Sequence, residues 1–74
     1  MLRSGMLWYD DTSGRSLAKK IERAAQYYEQ KYGQAPNICY VPTEELSQDL
    51  SLDNGLTVRS AEDLLPKHLW LGCA

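Results

Sequence analysis

Apolar and polar positions recur along this chain in two rhythms. Leu17, Ile21, Ala24, Ala25, Tyr28 and Tyr32 fall at i, i+4, i+7, i+8, i+11 and i+15, one stripe of a helix with 3.6 residues per turn. Lys19, Lys20, Glu22, Arg23, Gln26, Glu29, Gln30 and Lys31 fill the other side. Ser13 or Ser16 is available as an N-cap, Gly33 stands where a left-handed C-terminal cap belongs, and Pro36 follows. The spacing predicts a helix over 15–32.

Around that helix lie short apolar runs of strand length. Met6–Tyr9 ends in Asp10-Asp11, and Asn37–Val41 is β-branched and aromatic and is stopped by Pro42. Leu56–Arg59 alternates apolar and polar, and His68–Leu71 closes the chain before Gly72. Between the second and third runs, Thr43 caps a start with Glu44 and Glu45 in its first turn, and Leu46 and Leu50 share one side of a short helix. Asp53-Asn54-Gly55 reads as a turn with a left-handed position. Ser60-Ala61-Glu62-Asp63 resembles a capping box opening one helical turn before Leu64-Leu65-Pro66.

The order is therefore β-α-β-α-β-β, an α/β (α+β) fold: a small two-layer sandwich of one four-stranded sheet, one long helix and a short second helix. About 26 residues join the first two strands, enough for a right-handed crossover between parallel neighbours. The directions of the last two strands stay open. Residues 1–5 are expected to be a flexible lead and residues 6–74 a single domain.

The two layers do not balance. Four strands of about five residues make a sheet face of about 320 Å². A helix of about 17 residues covers about 250 Å². Yet Met6, Leu7, Trp8 and Tyr9 put bulky apolar groups on both sides of their strand, and so do Ile38, Cys39, Tyr40 and Val41. In the last strand Leu69 and Leu71 point one way, His68 and Trp70 the other. Strands buried on both faces read like this, and the chain has one good helix with which to bury them. Either the short helix, the Ser60–Leu65 turn and the lead close the second face, or a partner does. The pattern favours the partner, most simply a second copy in a two-fold dimer through the sheet face or an edge strand.

Composition narrows the classes. The chain has 74 residues and a net charge of −2, room for one small domain. Every aromatic is Trp or Tyr and none is Phe, the types enriched at interaction surfaces. Residues 1–35 carry a surplus of two basic groups and residues 36–74 a surplus of four acidic ones, a mild dipole far from the basic excess of a nucleic-acid binder. Lys19, Lys20 and Arg23 form a small basic cluster on the helix's outer side, without a base-reading motif. The apolar stretches are too short to cross a bilayer. Two cysteines, Cys39 and Cys73, with no secretory leader pattern, predict free thiols and a cytoplasmic protein.

Candidate chemistry is sparse. Asp10, Asp11, Ser13, Gly14, Arg15 and Ser16 form a strand-to-helix loop, the place where open α/β sheets bind small ligands or anions. The loop lacks the glycine spacing and lysine of a phosphate loop, and its two carboxylates repel phosphate unless a divalent metal intervenes. His68 is the only histidine, so an acid–base or thiolate scheme must recruit it, with Cys39 as thiol and Asp10 to orient the ring. A metal site would need Cys39, Cys73, His68 and a carboxylate to converge, without the usual ligand spacing; no metal and no cofactor is expected.

The sequence thus points to a small non-catalytic protein–protein interaction domain, self-associating through an apolar Trp/Tyr sheet face. Trp8, Tyr40 and Trp70 are its expected contact residues, framed by Arg15, Arg59 and Lys67. The alternative is an enzyme-like domain that binds a small ligand, an anion or a metal in the Asp10–Ser16 loop. Membrane and nucleic acid are not expected partners.

Overall fold

A computed structural model describes residues 5–46, 50–51 and 55–73, with backbone only at Leu50 and Ser51. The elements are β1 (Met6–Tyr9), α1 (Leu17–Tyr32), β2 (Ile38–Pro42), a 3-10 turn at Thr43–Glu45, β3 (Leu50–Ser51), β4 (Thr57–Ala61) and β5 (His68–Gly72). The α/β reading and its mixed sheet with one long helix hold. Of the expected lead, only Gly5 lies within the described residues; Asp53 and Asn54 of the expected turn lie outside them, while Gly55 is left-handed at φ +84°.

Helix α1 forms where its stripe predicts. Ser16 is the N-cap, its Oγ accepting from Lys19 N–H, and Gly33 closes the helix at φ +81° with its N–H donating to the Glu29 carbonyl. Ile21, Ala24, Ala25 and Tyr28 are buried, Leu17 is half-buried and Tyr32 is exposed. Lys20, expected on the solvent side, is instead buried; a lysine at the margin of a stripe lays its methylenes on the core.

The sheet order is β1-β5-β2-β4-β3. Strand β5 runs antiparallel to both β1 and β2, β2 is parallel to β4, and β3 is antiparallel to β4. Strands β1 and β2 are thus parallel, as expected, but not neighbours: the last strand of the chain inserts between them. The crossover through α1 therefore spans two strand spacings, about 10 Å, a distance its long connection easily bridges.

The second helix is a single 3-10 turn. Leu46 already has extended backbone (φ −141°, ψ 114°), so it drops into the core while Leu50 pairs with Val58 in the two-residue edge strand β3. The predicted Leu46/Leu50 helical face does not form. The expected capping box is also absent, because Ser60 and Ala61 remain in β4. Residues 62–67 turn back to β5 past the end of β2, pinned by Lys67 N–H donating to Glu45 Oε2 at 3.2 Å.

Registers fix which residues share a face, since directly paired residues point the same way. Met6, Leu71, Cys39 and Val58 form one row across the sheet; all four are buried with Val41, Leu69, Leu46, Leu56 and the α1 stripe. The next row, on the opposite face, is Leu7, Trp70, Tyr40 and Arg59.

Candidate functional site: the helix-free sheet face

Strand alternation sends Leu7, Tyr9, His68, Trp70, Tyr40 and Arg59 to the side of the sheet away from α1. Among the described residues no helix covers this side. Leu7 is 60% exposed, Tyr9 57% and Leu65 67%, while Trp70, Tyr40 and His68 are half-buried. Tyr40 and Trp70 tilt against each other with ring centroids 6.2 Å apart, and Tyr9 and His68 do the same at 4.9 Å. The 62–67 turn covers one end, burying Leu64 but leaving Leu65 out. Between turn and strands runs an apolar groove of about 260 Å³, lined by Leu7, Asp63, Leu64, Leu65, His68 and Trp70.

The Trp70 ring packs against the backbone at Gly5, which leaves room for it. A Cβ at Gly5 would overlap Trp70 Cζ2 and Cη2 and the Leu71 carbonyl oxygen. The indole takes the place of the missing side chain, an arrangement known for glycines in strands. Gly5 belongs to the expected lead, and its place two residues before Leu7 gives it the same face.

The three expected contact residues do not share one face. Tyr40 and Trp70 stand together on the open side, but Trp8 has the parity of Met6 and points to the helix layer. There its ring packs on Tyr27 at 5.0 Å, and its buried Nε1 has no hydrogen-bond partner. Arg59 ends the open row and is exposed. Arg15 sits in the loop after β1, tied to Asp10, and Lys67 occupies a left-handed turn position at φ +68°. Leu7 and Leu65, which sequence reading passed over, are the apolar side chains most exposed on this face. Leu7 is betrayed by alternation once the helix is known to cover Met6.

The Asp10–Ser16 loop lies at the C-terminal ends of the parallel strands β1 and β2, and its groups are largely matched to one another. Asp10 is buried; its Oδ1 accepts from Thr12 N–H at 2.9 Å and its Oδ2 from Arg15 Nη1 at 2.9 Å. The Thr12 hydrogen bonds, and then the Arg15 guanidinium, hold the Asp10 carboxyl down at about 2, against the desolvation that opposes them. Asp11 is exposed and accepts from the Tyr9 hydroxyl at 3.2 Å. Ser16 is occupied as the helix cap, and Gly14 supplies the loop's positive φ at +81°. Ser13 and Gly14 lie in a broad, open hollow with Arg15, Lys19, Glu22 and Arg23. Lys19 is drawn to Glu22 at 3.8 Å.

Residues invoked for catalysis are kept apart. Cys39 faces the helix layer and His68 the open side, so the thiol and imidazole cannot meet. Burial pushes the Cys39 thiol up to about 12, which removes its nucleophilic form at neutral pH. His68 Nδ1 donates to the Pro66 carbonyl at 2.9 Å. Cys73 contacts Tyr28 Oη at 3.7 Å, accepts from Gln34 Nε2 at 3.1 Å and donates to the Ala35 carbonyl at 3.5 Å. Among the described residues no three His, Cys, Asp or Glu side chains converge as metal ligands, and no helix is long and apolar enough to cross a membrane. Searches against family models, curated proteins and solved structures find no match to this chain.

Proposed function

We propose that this chain is a protein–protein interaction domain that associates with a second copy of itself through the helix-free sheet face. One observation carries the reading: Leu7, Trp70 and Tyr40 form a continuous row on a side without a helix, flanked by the exposed Leu65. Tyr, Trp and His present an apolar body and a polar tip, the chemistry of surfaces that alternate between water and a partner. A two-fold axis through the groove would place each copy's Leu7 and Leu65 against the other's, an isologous contact. The free thiols of Cys39 and Cys73 agree with residence in a reducing compartment such as the cytoplasm.

Sedimentation equilibrium from about 1 to 500 µM tests the reading. The wild-type chain is expected to self-associate, and Leu65→Lys, which alters an exposed side chain and leaves the core intact, to weaken that association at least tenfold. A wild-type protein that stays monomeric throughout, or an association indifferent to Leu65→Lys, overturns it.

A further inference from the structure

Among the described residues the sheet also has an uncovered edge. Strand β1 is its outermost strand on one side, while the opposite edge is the two-residue β3. Edge strands in monomers usually carry a charge, a proline or a bulge that discourages pairing with another chain. The β1 segment, Met-Leu-Trp-Tyr, carries no charge and no proline and pairs with β5 in unbroken register.

The register shows which backbone groups are free for a partner. Asp10 N–H donates to the Lys67 carbonyl at 3.0 Å, continuing the pairing Met6↔Leu71 to Tyr9↔His68. In an antiparallel ladder hydrogen-bonded and non-hydrogen-bonded pairs alternate. Met6, Trp8 and Asp10 therefore turn their N–H and C=O groups inward to β5, and Leu7 and Tyr9 turn theirs outward. At this edge Leu7 and Tyr9 stand on the open side, and Trp8 and the half-exposed Tyr27 stand on the helix side beside Arg23, Gln26 and Gln30.

We propose that β1 pairs antiparallel with β1 of a second copy, forming a continuous ten-stranded sheet about a two-fold axis beside Trp8. In the register centred on Trp8, Leu7 faces the partner subunit's Tyr9 and Tyr9 faces the partner subunit's Leu7. Both outward residues of each strand thereby satisfy their N–H and C=O. Charge selects the direction. A parallel pairing would align Asp10-Asp11 with its own copy, whereas the antiparallel one sends the two acidic pairs to opposite ends of the contact. The identical strand is the occupant because its uncharged stretch Leu7–Tyr9 meets its own copy about the two-fold axis with no like charges opposed. Leu7, Tyr9 and Tyr27 together offer roughly 300 Å² of exposed side chain per copy, taking about 150–250 Å² for a fully exposed ring. With the strand edge added, this falls below the roughly 1,200 Å² typical of permanent complexes, so the contact is weak, with a dissociation constant in the micromolar range or above.

Edge and face share Leu7 but not Leu65, so Leu65→Lys separates the two contacts. The test uses full-length Leu65→Lys protein, in which face association is suppressed, and follows amide hydrogen exchange by NMR from about 10 µM to 1 mM. The Leu7 and Tyr9 amides are expected to slow at least tenfold over that range, while the Trp8 amide, bonded within the chain, changes little. Tyr9→Pro, which removes one outward N–H at a position where an edge tolerates proline, is expected to abolish the slowing. Tyr9→Ala, which keeps the N–H, is expected to retain it. Concentration-independent exchange at Leu7 and Tyr9, or equal behaviour of Tyr9→Pro and Tyr9→Ala, overturns the inference whatever the fate of the face contact.

Discussion

Replacing Asp10 by Asn tests whether the loop after β1 is built to hold its own charges. Asn keeps an oxygen for Thr12 N–H but loses the negative charge that strengthens the Thr12 hydrogen bonds and faces Arg15. A carboxyl held at about 2 instead of 3.8 corresponds to at most about 2.4 kcal/mol of folding stability, at about 1.36 kcal/mol per pH unit. Asp10 is nearly inaccessible, but the Arg15 side chain is 28% exposed. Solvent on that flank screens the pair and reduces the figure to about 1–2 kcal/mol. A domain of this size has only a few kcal/mol in total, so the effect is large.

The pH dependence separates charge from packing. Because the native carboxyl titrates below its unfolded value, its contribution is complete above about pH 5 and is lost as pH falls through 3.8 toward 2. Urea unfolding of wild type and Asp10→Asn at pH 7, 5, 4, 3 and 2.5 should give a gap of about 1–2 kcal/mol at the upper end that closes progressively below pH 4. A gap that stays constant down to pH 2.5 would mean that Asn disturbs the loop sterically and that the charge is not what stabilises it. A binding role for this loop would give the opposite sign: a site that holds Asp10 and Arg15 apart for a ligand should gain stability when the carboxylate is neutralised.

Two further substitutions report on the sheet faces. Gly5→Ala places a methyl group inside the Trp70 indole and the Leu71 carbonyl and is expected to cost about 1–3 kcal/mol, with a red shift of Trp fluorescence as Trp70 lifts off the sheet; unchanged stability and emission would refute the close approach. In native protein a thiol-specific disulfide reagent should modify Cys73 and leave Cys39 unreacted, because burial raises the Cys39 thiol to about 12; labelling of two thiols in wild type, or of the single thiol in Cys73→Ser, without denaturant would contradict the packing described for β2.

Local signals carried most of the elements. The α1 stripe, its Ser16 cap and the left-handed Gly33 depend on neighbours within one or two turns, and such features are written in contiguous residues. Order within the sheet depends on pairings between distant segments, and nothing local marks β5 as the strand that separates β1 from β2. Leu69 and Leu71 do hint at it, since a strand so apolar on its inner side suits the centre. The short helix stops after one 3-10 turn for a related reason. Thr43, Glu44 and Glu45 start a helix well, but burying Leu46 and pairing Leu50 with Val58 offered more than continuing a helix of marginal length. Of the expected contact residues, the common face of Tyr40 and Trp70 follows from alternation. Trp8 shares the parity of Met6 and faces the helix layer, and only the position of α1 decides which parity is inside.

Among the described residues the shortage of cover expected from areas persists after the topology changes, and its form matters. One helix dries one face completely: Met6, Cys39, Val58, Leu69 and Leu71 are all buried there. On the other face, strand residues alternate between Leu7, Tyr9, Trp70 and Tyr40 and the polar Thr57 and Arg59, with a buried Ile38 beside them. A monomer evolved only for solubility would place charges at the exposed Leu7 and Leu65; one sealed internally would bury them. Their exposure beside a groove, next to an edge strand without a guard residue, is the arrangement expected when a second chain completes the molecule. Face and edge both begin at Leu7, so one strand of four residues joins the two surfaces, and Leu7→Lys should weaken both contacts where Leu65→Lys weakens only the face.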